Sequence, residues 1–136
     1  MQDDTTELDL AVNDLGPLAW VLDELRKSLD TAASALRRFV RDAEKARGSD
    51  MVSVDTGQLR IARQQLHQAV GALEMVGLGA PAQMLRAMES AAQKFVEQPQ
   101  LCREPAATKV ERAGFALTEY LEALLLGKPV SAVALF

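Results

Sequence analysis

Apolar residues recur along most of this chain in alternating steps of three and four, the spacing of one face of an α-helix. The first series runs Leu18, Leu22, Leu25, Leu29, Ala32, Leu36, Phe39, Ala43. This heptad-like seam predicts a helix over about 17–46, opened by Asn13-Asp14-Leu15-Gly16-Pro17 and stopped at Gly48. The link Ser49-Asp50-Met51-Val52-Ser53 leads to a capping residue at Asp55 or Thr56. A second helix then follows the stripe Leu59, Ala62, Leu66, Ala69, Leu73, Val76 and ends at the Gly77-Leu78-Gly79 break. A third opens at Ala80-Pro81, follows Leu85, Met88, Ala92, Phe95 and stops before Pro99. A fourth opens at Glu104-Pro105, follows Val110, Ala113, Leu117, Leu121, Leu124 and ends at Gly127-Lys128-Pro129. Val, Ile and Thr nowhere alternate as a half-buried strand requires. Four amphipathic helices with short connections predict an all-α, antiparallel four-helix bundle.

Composition narrows the functions open to such a bundle. With 136 residues the chain fits one domain. The expected organisation is a flexible acidic leader over 1–14, the bundle over 15–129, and an apolar segment over 130–136 leading into a longer protein. A net charge of −4 argues against nucleic acid as partner, because phosphate backbones attract basic surfaces. No run of 18 apolar residues exists, so no membrane insertion is expected, and the acidic start lacks the basic region of a signal peptide. One cysteine excludes a disulfide framework, and the expected location is cytoplasmic. One histidine excludes a multi-histidine metal site, and no cofactor or metal is expected. Any imidazole chemistry belongs to His67.

That residue sits in the most informative part of the second helix. At 100° per residue, His67 points about 130° from the apolar stripe and Gly71, one turn on, about 170° from it. Arg60, Arg63 and Gln64 lie on the same side one turn earlier. A glycine inside a helix costs about 1 kcal/mol relative to alanine, and one reason to keep it is close approach by another molecule. An exposed imidazole beside a small residue suits capture of a phosphoryl group, with nearby cations stabilising the transferring oxygens. The plainer alternative is an ordinary surface histidine.

The stretch His67-Gln68-Ala69-Val70-Gly71-Ala72, with Val76-Gly77 and Glu89 further on, resembles the histidine phosphotransfer (HPt) motif H-x-x-K-G-[SA]. More narrowly, Leu66-His67-Gln68-Ala69-Val70-Gly71-Ala72-Leu73-Glu74-Met75-Val76 resembles the start of large CheA-like hybrid sensor kinases of the ChpA/PilL type, as does Leu18-Ala19-Trp20-Val21. These kinases belong to the chemosensory systems controlling type IV pili and twitching motility. The resemblance covers roughly residues 15–136 and implies that His67 accepts a phosphoryl group and passes it on. The implied partners are the kinase core of the same protein and response-regulator receiver domains. Gly71, Arg63, Gln64 and Gln68 form the expected supporting set. No nucleotide site is present, so the chain alone is not expected to be an enzyme, although the parent it resembles is a histidine kinase. The family's lysine is replaced by Val70. This departure leaves open a degenerate domain that docks partners without carrying phosphate, unless Arg63 substitutes for the lysine.

Other residues carry weaker expectations. Cys102 lies between the third and fourth helices, where Arg103 and a helix start favour a lowered pKa. Met75, Met84 and Met88 are expected as core fillers. Arg37, Arg38 and Arg41 are expected to form solvated pairs with Asp42 and Glu44. Trp20 and Tyr120 are expected at the core edge. The long seam is expected to face the other three helices, with a homodimer as the alternative.

Overall fold

A computed structural model describes residues 2–47 and 54–127, with side-chain surroundings from residue 16 onward. Helix α1 spans Gln2–Arg47, α2 Gly57–Met75, α3 Gly79–Glu97 and α4 Glu104–Leu125, with a short 3-10 turn at Pro99–Leu101. No strand occurs among the described residues. The apolar 130–136 segment and the 49–53 link lie outside the described residues.

The four stripes meet in one core. Leu25, Leu36, Leu59, Leu66, Leu73, Leu85, Leu117 and Leu121 are fully buried, with Ala32, Ala62, Ala69 and Ala92 between them letting the backbones approach. Cross-helix ion pairs fix the direction of the outer helices. Arg26 pairs with Glu122 and Arg37 with Glu111, so α4 runs antiparallel to α1. On the other side of the bundle Glu74 pairs with Arg86 and His67 meets Glu89, so α3 runs antiparallel to α2. Helix α1 packs chiefly on α2 and α4, whereas α3 packs far more on α2 than on α4.

The α2–α3 turn follows from its glycine. Gly77 adopts φ +73°, the left-handed region open to glycine. Its amide donates to the Glu74 carbonyl at 3.1 Å, and the Leu78 amide donates to the Leu73 carbonyl at 3.4 Å. This is a Schellman closure, with Leu78 folded back against the core. The tight turn brings α3 alongside α2 in the register that the site below requires. At the other end of α2, the Asp55 carboxylate accepts from the Gly57 amide at 2.8 Å, while Thr56 occupies the N-cap without a side-chain bond.

Five sequence expectations need correction. Helix α1 begins at Gln2 rather than near residue 17, so the segment expected as a leader is helical and Pro17 lies inside the helix. Proline reads as a start signal because it suits a first turn, yet the same residue can stand within a helix when one backbone bond is given up. Trp20 is 63% exposed rather than at the core edge, and Met75 is 85% exposed rather than a core filler. Arg37 pairs across to Glu111 instead of with Asp42 or Glu44. Cys102 is buried, and desolvation pushes its thiol up from 9.0 to about 11, opposite to the lowering expected from Arg103.

Candidate functional site

The outward face of α2 is built by the same periodicity that builds the core. Leu66, Ala69, Val70 and Leu73 turn inward, so His67, Gln68 and Gly71 turn outward between them. The His67 side chain is 73% exposed. Across the groove to α3, its Nδ1 lies 2.8 Å from Glu89 Oε2, and Glu89 itself is mostly covered. A carboxylate only accepts, so Nδ1–H donates to Glu89, and in the neutral ring the lone pair then lies on Nε2. The exposed ring is thus fixed in orientation and tautomer by one charge-assisted bond. Nitrogen Nε2 makes no hydrogen bond among the described residues.

One turn on, Gly71 is exposed, and a Cβ added there would meet nothing within 4 Å. The helix therefore does not need glycine at this position for packing. One turn before His67, Arg63 is partly buried and its Nη1 donates to Gln93 Oε1 on α3 at 3.0 Å. The Gln93 amide in turn donates from Nε2 to Glu97 Oε1 at 3.0 Å. The cross-helix rungs His67–Glu89 and Arg63–Gln93 are each four residues apart on both helices, hence neighbours on one seam. Gln64 and Gln68 are exposed and make no side-chain hydrogen bond among the described residues. Val70 is buried at 6% exposure, so the position three residues after the histidine belongs to the core.

Of the expected site residues, the structure brings His67, Gly71 and Arg63 onto one face and adds Glu89 from α3. Gln64 and Gln68 share the outward side without joining the bonded network. Sequence reading by periodicity missed Gln93 and Glu97. Their spacing from Glu89, at steps of four on α3, places them on its face but does not give the pairing with α2.

A second concave feature lies on the α1–α4 seam, with Leu66 and Met88 among the residues beneath it and Phe115 at its rim. Its arginines, Arg26 and Arg37, are both taken up by glutamates, and the remaining charged residue of its lining is the carboxylate Asp30, so it offers no unsatisfied cation to a ligand. No helix among the described residues is long and apolar enough to cross a membrane. No family model, curated protein or solved structure matches the chain. The fold and this face together define a four-helix bundle that presents one oriented imidazole.

Proposed function

We propose that the chain is a histidine phosphotransfer domain in which His67 takes a phosphoryl group on Nε2 and passes it to an aspartate of a receiver domain. The observation that carries this reading is the 2.8 Å contact between His67 Nδ1 and Glu89, which orients an exposed ring with Nε2 outward. In the first step the Nε2 lone pair forms the N–P bond while the bond from phosphorus to the donor's leaving group breaks. As positive charge develops on the ring, Glu89 stabilises the Nδ1–H side. In the second step a receiver carboxylate oxygen attacks phosphorus and the N–P bond returns its electron pair to Nε2. The open space at Gly71 lets the partner's backbone approach. The resemblance to the HPt motif and to CheA-like kinases of pilus chemosensory systems supports the choice of donor, a kinase core, and of acceptor.

Val70 favours a second reading. A buried valine stands where the motif has a lysine, as in a module that docks kinase and receiver without carrying phosphate. The two readings separate in one tube. Purified chain is incubated with a CheA-type kinase core and labelled ATP, with His67→Gln as control. Acid-labile label on the wild type alone is the expected result. An unlabelled wild type, beside a working phosphotransfer domain that does label, overturns phosphotransfer and leaves docking. Loss of signalling in a His67→Gln variant that still binds its partners argues against docking alone.

A further inference from the structure

Four arginines among the described residues reach across to a neighbouring helix, and they end on different kinds of acceptor. Arg26, Arg37 and Arg86 each meet a glutamate, so their charges are neutralised within the fold. Arg63 ends on the amide oxygen of Gln93 and makes no ion pair among the described residues. A neutral carbonyl fixes one guanidinium N–H and leaves the charge and the remaining donors available to an anion.

The amide is itself oriented. The Glu97 carboxylate accepts from Gln93 Nε2, which turns Oε1 toward α2 and hence toward Arg63. Arg63 precedes His67 by four residues, so the two side chains are neighbours on one helix face. The seam therefore sets an unneutralised guanidinium next to an oriented imidazole, each held by its own α3 partner. We propose that Arg63 holds the phosphoryl oxygens during transfer at His67 Nε2 and that Gln93 is the positioning residue that aims it. This assignment rests on His67 being the phosphoacceptor. Arg63 supplies a planar fork suited to two phosphoryl oxygens. It approaches from the N-terminal side of the histidine, because the position three residues after it is buried as Val70.

The test uses the whole chain and potassium phosphoramidate, a small phosphoryl donor that needs no kinase. In that reaction the donor's P–N bond breaks as the Nε2–P bond forms, ammonia leaves, and the Nδ1 proton stays on Glu89's side of the ring. The rate of phosphohistidine formation is followed by ³¹P NMR for wild type, Arg63→Gln, Gln93→Met and the double variant. Urea midpoints of all four report the fold. Losing a charge-assisted contact to the phosphoryl slows Arg63→Gln about tenfold or more. Gln93→Met slows the reaction severalfold in the wild-type background and has no effect once Arg63 is gone. A merely structural Gln93 would show the same loss in both backgrounds, and that result overturns its positioning role. An Arg63→Gln rate within twofold of wild type, with wild type reacting normally, overturns the role of Arg63 alone. A wild type that forms no phosphohistidine overturns the phosphotransfer reading and this inference with it.

Discussion

Gly71 and Cys102 show at single positions how the surroundings decide what a residue does. Gly71 stands in a helix interior with open space around its missing Cβ, so packing does not account for it. Gly71→Ala is expected to stabilise the fold by about 0.5–1 kcal/mol through helix propensity alone, measured as a rise in urea midpoint. A loss of stability would mean that the glycine serves the helix itself rather than the approach of a partner. Cys102 is governed by burial instead. Its thiol, pushed up to about 11, is disfavoured as thiolate in the fold and freer to ionise in the unfolded chain. The protonated thiol's contribution to stability is therefore full below pH 9 and lost as pH rises through the window from 9 to about 11. Iodoacetamide at pH 8 should leave the native protein essentially unmodified and label it quickly once denaturant is added. Fast labelling of native protein would contradict the burial.

The helices test a different kind of claim, that periodic stripes and turn chemistry set the bundle. Leu66 lies directly beside His67 in sequence and is fully buried. Leu66→Ala is expected to cost about 2–5 kcal/mol in chemical denaturation, because the core cannot fully close over the lost volume. Gly77→Ala is expected to cost about 1–2 kcal/mol, since a Cβ is strained at φ +73°. A neutral Gly77→Ala would mean that the α2–α3 turn tolerates another closure. At this scale the sequence was largely legible. The stripes Leu59-Ala62-Leu66-Ala69-Leu73 and Leu85-Met88-Ala92-Phe95 are buried as their spacing requires. Pro17 was not legible, because proline at a first helical position and proline within a helix look alike in a sequence. Trp20 was readable, since it lies about 200° around the helix from Leu18, but its apolar ring outweighed its angle. Of the site, the outward direction of His67 follows from the helical period alone. The rung partners do not, because the pairing of α2 with α3 depends on the register that Gly77 sets. Glu89 was reached only through the motif it completes, and Gln93 not at all.

In the whole molecule, the tight α2–α3 turn and the shared core hold two helices so that one seam carries His67–Glu89 and Arg63–Gln93 in adjacent rungs. The bundle supplies rigidity on the inside of α2 and an open surface on the outside, which is what a group passed between two partners requires. Phosphotransfer at this face depends on which ring nitrogen of His67 is free. His67 is the only histidine of the chain, so a histidine signal has one possible origin. The most direct measurement is long-range ¹H–¹⁵N NMR of the chain before and after treatment with phosphoramidate. A proton on Nδ1 before treatment and phosphorus bonded to Nε2 after it are the expected results, with both states altered in Glu89→Gln. A proton found on Nε2, or phosphorus found on Nδ1 or nowhere, would contradict phosphotransfer at Nε2.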